Sequence, residues 1–248
     1  MEILGCRLDA IDADEATARI LAQARQGAGA QVVTLGTEMV VYAQRDPRFR
    51  AIVNACALAL CDTVGLLAVA RWRGAPVRDR VTGVELVDRL CAGAAAVGLP
   101  VYLLGGATGV AADAAAMLKE RFPRLRVAGA RDGFFGEGEA SAVAAAVAAS
   151  GARLLFVGMG SPRQEFWLAE HLRATGCGVG IGVGGSFDVI AGRVRRAPAP
   201  VRRMGLEWLY RLVREPYRWR RQLALPRFVW LIALEGLGVR ARKSGAGS

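Results

Sequence analysis

The sequence predicts an α/β protein: a mostly parallel sheet with helices on both faces, followed by a basic helical appendage at the C-terminus. Three observations predict it. Short apolar runs alternate with longer alanine-rich stretches of helical period, the pattern of strands joined by crossover helices. Several of those runs end in glycine turns, as strands of Rossmann-like sheets do where they meet a ligand. The charge also breaks sharply. Residues 1–192 carry 19 Lys/Arg and 19 Asp/Glu, whereas residues 193–248 carry 14 and 3, so the whole net charge of +11 sits beyond residue 192. The expected division is an enzyme-like body over 1–194 and an arginine-rich appendage over 195–248.

Taken in order, Ile3–Leu8 reads as a short strand. Asp12-Ala-Asp14 stands before a helix predicted over Ala13–Arg25. D-x-D is also a metal–diphosphate spacing, but Asp ahead of an alanine-rich helix is the expected N-cap, and that reading is preferred. Gln31–Leu35 is a buried strand, turned by Gly36-Thr37 into a helix over Glu38–Arg45. Asp46-Pro47 starts the next, to about Cys56. Ala57–Cys61 is an apolar strand with Asp62 at its carboxyl end, where open α/β sheets bind ligands. Asp62 is either a catalytic acid or the cap of a helix over Val64–Arg73; position alone leaves these level. Thr82 caps a helix over Val84–Val97, and Arg80 before it is an anion ligand or a surface charge.

Pro100–Leu104 is a strand running into Gly105-Gly106-Ala107-Thr108-Gly109 and a helix over Val110–Arg121. Free amides at such a helix N-terminus suit a phosphate, although the glycine spacing is not the dinucleotide fingerprint. Leu125–Ala130 is a strand and Glu139–Ser150 a helix. Arg153–Val157 leads into Gly158-Met159-Gly160-Ser161-Pro162-Arg163-Gln164. There Ser161 is expected as N-cap, Pro162 as the first helical residue, and Gln164 as the partner completing a capping box. Val179–Val183 is the last core strand, and Gly184-Gly185-Ser186 lets backbone approach a ligand closely.

Composition narrows the chemistry. With 53% apolar residues the body is not disordered. The five cysteines show no C-x-x-C spacing, which points to reduced thiols in the cytosol rather than a disulfide framework or a zinc site. His171 is the single histidine, which argues against histidine triads and histidine-held metals. The N-terminus lacks a signal-peptide pattern. The longest apolar region, Leu223–Leu234, is broken by Pro226 and Arg227 and falls short of the roughly 20 residues a bilayer span needs. In the tail, Arg211, Arg214, Arg218 and Arg221 recur at helical spacing and interleave with Trp208, Tyr210, Tyr217, Trp219, Phe228 and Trp230. Such a segment suits an anionic membrane surface; a solvated basic face and a nucleic-acid surface are the alternatives.

These motifs together resemble one family. They are TLGTEM at 34–39, Asp62, RVTG at 80–83, LLGGATGVA at 103–111, GFFGE at 133–137, VGMGSPRQEFW at 157–167, GVGGSFDVIAG at 182–192, RRAP at 195–198, GLEWLYRL at 205–212 and EPYRWRR at 215–221. In this order they are similar to the WecG/TagA/CpsF glycosyltransferases, glycosyltransferase family 26, over about residues 30–221. The resemblance implies an inverting transferase that needs neither metal nor cofactor. Its donor is a UDP-sugar carrying a hexose or N-acetylhexosamine, and its acceptor a polyprenyl-diphosphate-linked sugar, in cell-surface polysaccharide synthesis on the inner face of the cell membrane. It implies Asp62 as general base, with Arg80 and Gln164 beside it in the catalytic set. Thr34, Thr37, Gly105, Gly106, Gly160, Ser161, Gly184, Gly185, Ser186 and Asp188 would bind substrate. Arg211, Arg218 and Arg221 would meet the leaving diphosphate.

Two positions depart from the family's usual pattern: Gly36 stands where Asn is common, and Thr63 where Gly is common. Both bear on which donor sugar fits. The resemblance implies no nucleic-acid partner and leaves homo-oligomer formation open. The other classes considered are a nucleotide-dependent oxidoreductase using the Gly105–Gly109 turn and a nucleic-acid module carried by the tail.

Overall fold

A computed structural model describes residues 1–27, 29–195, 197–198, 200–201, 207–214, 219 and 223–236, and at 207, 211, 213 and 214 the backbone alone. Six parallel strands form the sheet: β3 (Ala30–Leu35), β4 (Leu58–Cys61), β5 (Val101–Gly105), β6 (Val127–Arg131), β7 (Leu154–Gly158) and β8 (Val179–Gly182), in the order β4-β3-β8-β7-β5-β6. The α/β class with a parallel Rossmann-like sheet is therefore correct. The N-terminal stretch is corrected. Instead of one strand it forms a minimal hairpin, β1 (Glu2–Ile3) and β2 (Cys6–Arg7), because Leu4 and Gly5 take left-handed conformations that reverse the chain.

Three helices begin where the sequence places their caps. Asp12 caps α1 (Ala13–Gln26) by accepting from the Glu15 amide. Asp46 caps α3 (Pro47–Ala55) through Phe49, and Thr82 caps α5 (Gly83–Val97) through Glu85. Asp14 pairs with Arg89 on the surface, so Asp12-Ala13-Asp14 is helix-capping chemistry, outside the cleft described below.

The strands alternate by face. Val32, Leu58, Leu60, Val101, Leu103, Leu154, Phe156, Val179 and Ile181 point to one side, against α1, α5 and α6 (Val110–Arg121). On the other side lie two clusters. Val33, Leu35, Ala59 and Cys61 pack with α2 (Thr37–Ala43), α3 and α4 (Val64–Trp72). Tyr102, Leu104, Leu155 and Val157 pack with α7 (Ala140–Ala149) and α8 (Arg163–His171). β8 carries glycine on this second face. A Cβ at Gly180 would lie 2.5 Å from Leu168, and one at Gly182 would lie 2.6 Å from the Gln164 amide nitrogen. The V-G-I-G pattern thus lets α8 settle directly on the sheet.

A short α9 (Ser186–Ile190) follows β8. Beyond it, α10 (Glu207–Arg214) and α11 (Ala224–Gly236) are described. α11 lies against α2, burying Phe228 and Leu231, and Arg73 at the end of α4 pairs with Glu235. Among the described residues no helix is long and apolar enough to cross a membrane.

Candidate active site

The carboxyl ends of β3, β4, β7 and β8 open into one cleft of about 440 Å³, within the range of small-molecule sites. It brings together Thr34, Thr37, Asp62, Arg80, Gly160, Ser161, Gln164, Gly184, Gly185 and Ser186.

Asp62 follows β4 and is half-buried. Its backbone amide donates to Leu35 O (3.0 Å), and its Oδ1 accepts from the Gly83 amide in the first turn of α5 (3.3 Å). Val81 N donates to Cys61 O (2.6 Å), which lays the Arg80–Gly83 segment alongside the end of β4. That segment supplies Arg80 to the cleft wall and the amide that orients Asp62. Gly83 is glycine for a spatial reason: a Cβ there would sit 2.8 Å from Ser186 Oγ and 3.2 Å from Val183 O. The segment that orients Asp62 is thereby packed onto the turn after β8.

Several hydroxyls expected to bind substrate also hold the walls. Thr34 Oγ1 donates to Gly182 O (2.9 Å), tying β3 to β8. Ser186 Oγ donates to Val183 O (2.6 Å) within its own turn. Thr63 Oγ1 accepts from the Thr37 amide (3.3 Å), and a Cβ at Gly36 would lie 3.4 Å from the Thr63 methyl. The two departures from the family pattern are therefore neighbours: Thr63 lies against the side of Gly36 from which a side chain would grow.

The capping box at Ser161 and Gln164 is corrected. The helix starts at Arg163, Pro162 precedes it without a side-chain cap, and Gln164 turns inward. Its Oε1 accepts from the Gly184 amide (3.0 Å) and its Nε2 donates to Glu165 Oε1 (2.7 Å). Gly182 explains this, because its missing side chain leaves the space that the Gln164 amide and the Glu165 carboxyl occupy. Burial pushes the Glu165 carboxyl up from its ordinary range, against the opposing pull of the Gln164 amide and the nearby Ser161 hydroxyl.

Three expected site residues fall outside the cleft. A Cβ on Gly105 would lie 2.4 Å from the Gly158 carbonyl carbon, so its glycine serves close packing of β5 on β7. A Cβ on Gly106 would lie 2.8 Å from the Val110 side chain in the helix that follows. Asp188 lies in the first turn of α9, away from the cleft lining. The Arg211 side chain, Arg218 and Arg221 lie outside the described residues.

The cleft also contains groups that local sequence reasoning passed over: Glu38, Met39, Val64, Gly65 and Ala68, with Trp208 from α10 and Leu225 from α11. Glu38 and Val64 lie in the first turns of helices directly after cleft strands, which is the signal that would have found them. Among the described residues no cluster of His, Cys, Asp and Glu is placed to hold a metal ion.

Comparison with known proteins agrees with this architecture. Residues 1–242 match the model of the glycosyl transferase WecG/TagA/CpsF family. The chain is also 36% identical over 204 residues to a protein of Bacillus spizizenii, spanning 82% of this chain and 79% of that relative. The relative is named N-acetylglucosaminyldiphosphoundecaprenol N-acetyl-beta-D-mannosaminyltransferase. With a carboxylate and glycine turns in one cleft at the strand ends and a match along nearly its full length, the chain belongs to the WecG/TagA/CpsF family of glycosyltransferases.

Proposed function

We propose that the protein transfers an N-acetylmannosamine-type sugar, or a related hexose, from a UDP-sugar to a polyprenyl-diphosphate-linked N-acetylglucosamine, with inversion at the anomeric carbon. The product is an early lipid-linked intermediate of a cell-envelope polysaccharide of the teichoic acid type. The body is residues 1–194. The basic segment 195–248 rests on the anionic inner face of the cell membrane, where the lipid-linked acceptor lies.

The observation that carries this reading is the setting of Asp62. Its carboxylate accepts from an α5 amide and lines the same cleft as Gly160 and the Gly184–Ser186 turn. As general base it takes the proton of the acceptor hydroxyl while that oxygen attacks the anomeric carbon from the face opposite the leaving UDP. Charge then develops on the diphosphate, and preorganised cations stabilise it. Arg80 on the cleft wall serves there, with Arg211, Arg218 and Arg221 from the tail. Gln164 and the Gly184–Ser186 turn form the donor-side wall.

The test is transfer of radiolabel from a panel of UDP-sugars to polyprenyl-diphosphate-linked N-acetylglucosamine in vesicles. A productive donor is expected, and Asp62→Asn should reduce its turnover about 10²–10⁴-fold, the usual contribution of general acid–base catalysis. Wild-type turnover by Asp62→Asn overturns the base assignment, and transfer from none of the donors overturns the substrate class.

A further inference from the structure

We infer that Glu165, which does not line the cleft, is a positioning residue: its carboxyl holds the Gln164 amide in the one orientation that grips the Gly184 turn. The inference rests on the reading above that Gln164 and this turn face the donor.

A carboxamide has two unlike ends. The Gly184 N–H can only donate, so it requires the carbonyl oxygen of Gln164, which it reaches at 3.0 Å. The NH2 end must then face the other way, into the protein, where a buried donor needs an acceptor. Glu165 Oε1 is that acceptor, at 2.7 Å. The pair is wedged against β8, since a Cβ on Gly182 would come within 2.6 Å of Gln164 Nε2 and 3.0 Å of Glu165 Oε1. Glu165 itself is 1% exposed, and its main-chain carbonyl accepts from Gln31 Nε2 on β3 (3.1 Å). The Ser161 hydroxyl lies near the same carboxyl, whose Oε2 makes no direct hydrogen bond among the described residues. A glutamate so placed makes no use of its charge toward solvent; what it offers is an acceptor fixed in space. Without it the amide is free to flip, setting NH2 against N–H and releasing the turn.

The experiment compares two variants of nearly unchanged volume. Glu165→Met fills the site without an acceptor, and Glu165→Gln keeps one. Each is measured for kcat and donor KM, for UDP affinity by calorimetry, and for exchange of the Gly184 amide hydrogen by NMR. Glu165→Met is expected to lose about 10–100-fold in kcat/KM, the effect of one orphaned buried donor, and to speed Gly184 exchange. Glu165→Gln should stay within about threefold of wild type on the same grounds. Equal losses in both variants, or unchanged Gly184 exchange in Glu165→Met, overturn the inference. Gln164→Ala in the same assays separates the two readings. If it speeds Gly184 exchange yet keeps wild-type kcat/KM, the donor-side assignment falls while the role of Glu165 in holding the turn stands.

Discussion

Ionising Glu165 places a charge where burial excludes water and, to a lesser extent, near the like charge of Glu38 in α2. The fold therefore keeps its proton to higher pH than the unfolded chain does. The stability linked to that proton is fully present below the ordinary glutamate range and declines as pH rises through the raised native value. Glu165→Gln removes the titration. Its melting temperature relative to wild type should climb as pH is raised above the ordinary glutamate range, and a pH-independent difference would contradict this. At the scale of single residues the sequence is informative wherever local chemistry decides. Asp12, Asp46 and Thr82 cap the helices they precede, and Asp62 ends its strand. It misleads at Ser161 and Gln164, because S-x-x-Q is a capping pattern whatever lies underneath. What lies underneath is Gly182, about 20 positions away in the chain, and no local pattern contains that distance.

Among elements, the glycines do the positioning. Gly105 adopts φ +140°, and a Cβ on it would meet the Gly158 backbone at 2.4 Å. Neither the conformation nor the contact can be relieved by moving a flexible side chain. Gly105→Ala should therefore lower unfolding free energy by on the order of 1–3 kcal/mol, read from urea denaturation, even though the residue lies outside the cleft. A change below a few tenths would mean that the β5–β7 junction yields freely. The sequence marks this turn as special, and a glycine turn before a helix suits a phosphate equally well; only the position of the neighbouring strand tells the two apart. The same limit applies to α10 and α11. The helical spacing of the α10 arginines is legible, whereas α11 reads only as a broken apolar run, and the seat of Phe228 on α2 is a contact between segments far apart in the chain.

For the whole molecule, the separation of charge is the property most directly written in the sequence. The cationic excess lies entirely beyond residue 192, so the proposed attraction to anionic lipid is assigned to the tail. Ending the chain after Arg193 should abolish co-sedimentation with anionic vesicles and transfer to the lipid-linked acceptor. For the full chain, vesicle binding should weaken as salt shortens the Debye length from about 10 Å at 0.1 M to about 3 Å at 1 M. Binding by the shortened chain equal to that of the full chain would place the lipid-facing surface on the body. The parallel sheet was legible from the alternation of elements, whereas the order β4-β3-β8-β7-β5-β6 was not, because strand pairing depends on which non-local runs meet.

The cleft's outer wall has a separate origin from its floor. The floor is sheet and glycine turn, whereas Trp208 and Leu225 come from segments that follow the last strand. One consequence concerns inhibitors. Compounds selected on a chain shortened to its sheet would be shaped to a trough lacking one side, and would meet an obstruction in the intact protein. A compound that took the place of Phe228 on α2 would act in the opposite sense, peeling that side away without ever occupying the substrate's position.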